Sequence, residues 1–450
     1  MSSAPSRKRG PFKATVRALS WEASFALAYE AWVGPATLIV LAGTLGVPIW
    51  LVSLLSAIPW LGNLGQVLTL RWYARAPSLK EGTLAWVRIA RVLWLIPLLS
   101  GVLSWAVTRT LGRAFPVQAW FLGVVVVGIL SSISINSATQ LWLAWVRGVL
   151  PLRVRGRVLG IRQRFVFGSV ILAHLISSSI IGWKVSGLYL GVVALSVLTL
   201  LSGLLSYRIL RTVPDVSPLQ SSLSKAVNQD ALRVLTVPWK SQAFRSILLS
   251  GGSFNFALQF GGPYFIYYFT HELKIPMGKV TAWSAAASAG SLIASAFWGR
   301  WTDRSERLDR LFTMTGAFFV VSPLFYLIPA RWIPAMAPWE YFINGFGWAG
   351  YTLILTSLLM SRCRDAEPGW EPLYFSVFAA FNGFCGAAGA LLGGRVLAWL
   401  SGTFAFGYDG YAQHWILTSG LRALAVFGVF RLLRPLPIRG NQAMPAPHDH

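Results

Sequence analysis

Glu30 is the residue of this sequence with the clearest capacity for chemistry. It stands near the midpoint of a long apolar run, 18–42. An ionised carboxylate at the centre of a bilayer costs about 2.5–3.5 kcal/mol, so it needs a water-filled cavity, a partner or a proton. A carboxyl that takes up and releases a proton there suits proton coupling or cation recognition. The competing reading is a hydrogen-bonded packing residue. Polar side chains recur at helical spacing in other apolar runs. Ser132, Asn136, Thr139 and Gln140 share one face. Asn255 and Gln259 are one turn apart, with Tyr264, Tyr267 and Tyr268 following. Asn344, Tyr351 and Thr352 fall on one side, as do Tyr374, Phe378 and Asn382. Such stripes either line a polar cavity or join helices, the latter being worth about 0.6 kcal/mol per contact. Covalent and metal chemistry find no support. Cys363 and Cys385 are far apart and outside any Cys/His cluster, and no phosphate-binding Gly-Lys loop occurs.

The elements that must carry these residues follow from composition. Of 450 residues 55% are hydrophobic and 12% charged, against about 25% charged in a soluble domain. That excludes disorder, a disulfide scaffold and an ordinary soluble enzyme. Twelve stretches reach the roughly 20 apolar residues needed to cross a bilayer: 18–42, 47–70, 85–107, 116–146, 157–183, 186–208, 244–270, 278–300, 309–329, 337–361, 370–400 and 413–433. They are too long for strands and do not alternate, so helices are the remaining way to satisfy every amide in lipid. The expected fold class is an all-α polytopic membrane protein with 12 transmembrane helices in two six-helix bundles.

The net charge of +24 would suit nucleic acid, but its distribution argues otherwise. With both termini placed in the cytoplasm, 31 of the 39 Lys and Arg residues fall on inside segments and 6 outside. That bias sets the orientation and makes anionic lipid headgroups the partners of the basic face. The expected organisation is a basic N-terminus over 1–17, a first bundle over 18–208, a Pro- and Ser-rich linker over 209–243, a second bundle over 244–434 and a tail over 435–450. Glu22 reads as interfacial, Arg91 as snorkelling to the inner interface, and His174 as a packing residue. Arg422, mid-way along the last stretch, needs an inward-facing carboxylate unless the span limits are shifted.

Sliding the sequence on itself by 228 residues brings Gly34-Pro35 onto Gly262-Pro263, Leu45 and Pro48 onto Leu273 and Pro276, and Val52, Ser56, Ala57, Gly62 and Leu64 onto Val280, Ser284, Ala285, Gly290 and Leu292. The two halves therefore read as a duplication. After the eighth stretch comes Gly299-Arg300-Trp301-Thr302-Asp303-Arg304-Ser305-Glu306-Arg307. This resembles the signature loop of the major facilitator superfamily: Gly299, Asp303, Arg304 and Arg307 fit it, while Glu306 and Trp301 depart from it. The basic run from Pro151 to Arg157 is similar to the family's loop between its fourth and fifth helices. The fourth stretch lacks the Arg of many proton-coupled members. The fifth lacks the pattern of drug/proton antiporters. The likeness thus reaches the superfamily and not a substrate class.

The resemblance implies a secondary transporter working by alternating access. It implies a cytoplasmic gate in which Asp303 meets the start of the fifth helix near Arg157 or Arg162. A local pair with Arg304 or Arg307 is the alternative. It also places helices one, four, seven and ten around the cavity. The expected cavity residues are Glu30, Asn136, Gln140, Asn255, Gln259, Tyr267, Asn344 and Asn382. The solute favoured is small and neutral, amphipathic or cationic, with proton coupling left open. No cofactor, metal, enzymatic activity or nucleic acid is called for, and a monomer in a bacterial inner membrane is expected. A receptor or scaffold on the same fold is the alternative, ahead of a lipid-modifying enzyme.

Overall fold

The computed structural model describes residues 9–67, 78–112, 116–149, 152–183, 190–215, 234–305, 307–362, 370–405 and 408–432. Residues 1–8, the linker segment 216–233 and the tail 435–450 lie outside these.

The first span is α1 (Arg9–Val33) and α2 (Pro35–Thr44), broken at an extended Gly34. Pro35 has no N–H, so the carbonyl of Ala31 loses its helical donor. Thr37 Oγ1 replaces it, donating at 2.8 Å. Gly34 is required sterically, because a Cβ there would lie 2.6 Å from the Glu30 carbonyl oxygen. The second span contains α3 (Ile49–Asn63). The third is α4 (Leu79–Leu93) and α5 (Leu95–Thr110). It starts at Leu79 rather than 85 because Ser78 caps it, accepting from the Glu81 amide at 3.2 Å. It breaks at Trp94, where Pro97 cannot donate to Leu93. Then come α6 (Val117–Val149), α7 (Leu152–Ile180) and α8 (Leu190–Arg211).

The second half opens with α9 (Gln242–Tyr267), which runs into a π-helical turn, Tyr268–Glu272. There follow α10 (Met277–Arg304) and α11 (Leu308–Val321), the latter ending in a 3₁₀ turn, Ser322–Leu327. The last three spans are α12 (Ile333–Arg362), α13 (Glu371–Leu400) and α14 (Gly410–Leu432). A two-residue antiparallel ladder, Phe404 opposite Asp409 and Ala405 opposite Tyr408, closes the loop before α14. Among the described residues nine spans are long and apolar enough to cross a membrane on composition alone. The other three are α3, of which 15 residues form the helix, and α9 and α14, which carry Asn255, Gln259, His414 and Arg422.

The duplication is visible in the backbone. Offset by 228 residues, Gly46 and Lys274 both adopt left-handed conformations, with φ of 66° and 54°. Pro48 and Pro276 then cap α3 and α10. Packing repeats as well. The first span lies on the fifth and sixth as the seventh lies on the eleventh and twelfth, and the second lies on the fourth as the eighth lies on the tenth. The halves meet through α3 against α13 and α7 against α10. Glycines permit the approach: a Cβ on Gly383 would lie 2.4 Å from the Trp60 carbonyl, and one on Gly278 2.4 Å from the Ser178 carbonyl.

The cores show where the halves join. At the end remote from Arg9 and Leu432, one buried cluster bridges them, drawing Leu38 and Leu51 from the first half and Phe269, Trp283 and Trp415 from the second. At the end that carries Arg9 and Leu432 there are two separate clusters. Leu19, Leu141 and Trp145 belong to one, and Phe244, Trp298 and Phe312 to the other. A Cβ added to Gly299, near that end of α10, would meet no described atom within 4 Å. The two bundles share a core at one end, the sealed end, and keep separate cores at the other, the parted end.

Candidate functional site: two half-cavities with buried charge

The kink at Gly34-Pro35 turns the last turn of α1 toward a cavity of ≈ 330 Å³ in the first half. Its walls include Glu30, Trp60, Asn63, Ser132 and Asn136. Glu30 is exposed to it and accepts no hydrogen bond from any described residue. Asn136 Nδ2 donates to Ser132 Oγ at 3.5 Å, so its amide stays largely free.

Behind this wall lies a charge cluster. Glu22 is buried within the bundle, 6% exposed. Ser206 Oγ donates to it at 3.2 Å and Arg162 Nη2 stands 3.8 Å away. Arg91 does not snorkel. It is 6% exposed, with its guanidinium 3.8 Å over the Tyr29 ring and its Nε and Nη1 unpaired among the described residues. The sixth span explains the burial of both. Its small residues Gly203 and Ser206 let α8 close over α1 and cover these side chains: a Cβ on Gly203 would lie 2.9 Å from the Arg91 side chain.

The second half has a cavity of ≈ 240 Å³ in the corresponding place, with Gln259, Glu340, Tyr341, Asn344, Trp348 and Arg422 in its walls. Glu340 is 3% exposed. Its Oε1 accepts from Ser322 Oγ at 2.5 Å and Asn344 Nδ2 at 3.2 Å, and its Oε2 from Tyr326 at 2.5 Å. Arg422, 2% exposed, faces inward but meets carbonyls rather than a carboxylate. Nη1 donates to Phe319 at 2.8 Å, Nη2 to Leu258 at 3.1 Å and Nε to Ala257 at 3.5 Å. The Phe319 carbonyl is bare because its helical donor would be the nitrogen of Pro323. Proline thus creates the acceptor that the arginine fills.

Four of the eight expected cavity residues line these two spaces: Glu30, Asn136, Gln259 and Asn344. The other four are placed elsewhere. Asn255 Nδ2 donates to Asn382 Oδ1 at 2.6 Å, tying α9 to α13. Gln140 Nε2 donates to Gln66 Oε1 at 2.6 Å, tying α6 to the second span. Tyr267 lies in the bridging core at the sealed end, stacked on His271 at 4.7 Å. Glu340 was missed by sequence reasoning. Its signal was an acid one helical turn before Asn344, within the expected span 337–361.

At the parted end Arg307 makes a two-pronged bond to Asp309, at 3.1 and 2.9 Å. Arg304 is exposed. Arg162 lies with Glu22, its guanidinium 4.5 Å over Trp142. Asp303 is on the last turn of α10 and Arg157 near the start of α7. The side chains of Asp303 and Arg157, and all of Glu306, fall outside the described residues.

The sequence pattern that defines the Major Facilitator Superfamily matches residues 88–394, well over half of the chain. The chain belongs to the major facilitator superfamily. No curated protein matches the sequence. Among solved structures it resembles a bacterial homologue of the human lysosomal transporter Spinster, inward-facing and unoccupied. That match has a TM-score of 0.66 and 13% identity over 95% of this chain and 98% of that one. It is also similar to a bacterial homologue of the iron transporter ferroportin in its inward-facing state, at 0.63 and 12%, over 96% and 100%. The nucleoside transporter NupG matches at 0.61 and 11%, over 95% and 100%. These likenesses are of fold. As a major facilitator protein, the chain is an integral membrane secondary transporter of a small solute that works by alternating access, and the receptor or scaffold alternative is not favoured.

Proposed function

We propose that this transporter couples solute movement to protons through Glu30, in a bacterial inner membrane with both termini cytoplasmic. The observation that carries this reading is the contrast among buried charges. Glu22 has Ser206 and Arg162 beside it, Glu340 has three donors and Arg422 has three carbonyls. Glu30 alone among these faces a cavity without a described hydrogen-bond partner. A proton or a cation is what such a carboxylate can exchange with water. The inside charge bias and the separate cores at the end that carries Arg9 and Leu432 support an inward-facing state. In the outward-facing state, Asp303 meets the N-terminus of α7, whose partial positive charge attracts a carboxylate. The halves that rock are 18–208 and 244–434, joined by 209–243. A neutral or cationic small solute and a monomer fit this reading.

The test is reconstitution into liposomes with a pH gradient, screened against a solute library. Glu30→Gln is expected to abolish solute-dependent proton movement while the protein still inserts. Proton traces identical to wild type would overturn the coupling role. Asp303→Asn is expected to slow uptake several-fold, and unchanged kinetics would remove the gate.

A further inference from the structure

We infer that the cavity of the second half binds a small zwitterion, an amino-acid-like solute with an ammonium group, a carboxylate and an apolar side chain. This deepens the transport reading by naming the solute class, and it stands on a site that the charge cluster itself defines.

Glu340 and Arg422 both line the ≈ 240 Å³ cavity. They feel each other electrostatically, yet no direct ion pair forms between them. Each retains unused hydrogen-bonding capacity. A guanidinium has five N–H donors, and three of those of Arg422 go to carbonyls. The two that remain are one on each terminal nitrogen, the number that a carboxylate engages in a forked pair. A carboxylate has about four acceptor positions, and three of those of Glu340 are filled. The fourth suits one N–H of an ammonium group.

Charge balance points the same way. The pair sums to zero, so a lone cation or a lone anion in this space leaves one unit of buried charge uncompensated. A zwitterion leaves none. Apart from the amides of Gln259 and Asn344, the rest of the lining is apolar or aromatic, including Leu258, Phe265, Ile266, Phe319 and Trp348. The volume is below the roughly 300–1,000 Å³ of sites for drug-sized ligands, which limits the solute to a small one. Gly262 keeps the arginine approachable. The nearest atom to a Cβ placed there is Arg422 Nη2, 4.0 Å away.

The test is calorimetric titration of the full chain in lipid nanodiscs, without any ion gradient. The probes are L-phenylalanine and L-leucine, with phenethylamine and 3-phenylpropionate as counterparts that carry one charge each. Both amino acids are expected to bind saturably, and each single-charge probe about tenfold or more weakly. Glu340→Gln is expected to weaken L-phenylalanine about tenfold and to bring it level with 3-phenylpropionate. Gly262→Leu fills the space before Arg422 without touching the Glu340 network, and is expected to abolish binding if Glu340→Gln folds poorly. Absence of binding by both amino acids, equal binding of all four probes, or wild-type affinity in a folded variant would each overturn the site. Binding without transport in liposomes would instead count against the transport reading. Proton-coupled movement of some other solute, with no amino-acid binding, would sink this site alone.

Discussion

Arg422 illustrates how one residue is decided by another far away in sequence. A guanidinium at mid-membrane depth is costly unless its donors are satisfied. Here Pro323 strips the Phe319 carbonyl of its donor and Arg422 supplies one at 2.8 Å. Arg422→Gln is therefore expected to destabilise the protein by about 1–3 kcal/mol, the cost of leaving a buried polar group unpaired. Pro323→Ala should return part of that loss in the double variant, because residue 323 regains its N–H. Thermal unfolding of the four proteins in detergent checks this; additive losses would show that the two residues act independently. Glu30 was legible in the sequence because an acid in the centre of an apolar run has few structural explanations. Glu340 was not, because it stands near the edge of its expected span and only tertiary packing brings Ser322 and Tyr326 onto it. The amides were ambiguous for a similar reason. Helical spacing places Asn255 and Asn136 on polar stripes alike, and only the neighbouring helix decides which becomes a strut and which faces a cavity.

For the elements, the duplication is the most informative feature. Matched Gly-Pro and Pro residues marked the equivalent turns, and both turns place a residue at positive φ. One is Gly46, the natural choice. The other is Lys274, which bears a steric cost there. Lys274→Gly is expected to raise stability by up to about 1 kcal/mol, read as a higher unfolding temperature; a lower one would mean that the lysine side chain contributes more than its backbone costs. The twelve spans were legible from hydropathy, but their breaks were only partly so. Gly34-Pro35 interrupts the first span, whereas Gly262-Pro263 lies inside a continuous α9, and the irregularity moves on to the π turn at Tyr268–Glu272. Removing the Thr37 hydroxyl bares the Ala31 carbonyl at the kink. Thr37→Val should cost about 1 kcal/mol, measured in the same way.

The whole molecule is a pair of bundles with one shared core at one end and two separate cores at the other. No local sequence pattern encodes that asymmetry, because it belongs to a conformational state rather than to a helix. The close approach of Ser178 and Gly278 marks the sealed end. Gly278→Leu is expected to hold this end ajar, because its Cβ would meet the Ser178 carbonyl at 2.4 Å, and to slow transport several-fold. Full transport by that variant would mean that tight closure of this end is not needed.

The bridging core has a thermodynamic consequence. Leu38, Leu51, Phe269 and Trp283 are dry while this end is shut. Opening it wets them, and hydration of apolar surface raises heat capacity. The opposite end is rich in arginine, including Arg300, Arg304, Arg307 and Arg310, so its closure buries less oily surface in return. The balance between the two facing states should then bend with temperature rather than follow a straight van 't Hoff line, and cooling should weaken the apolar latch.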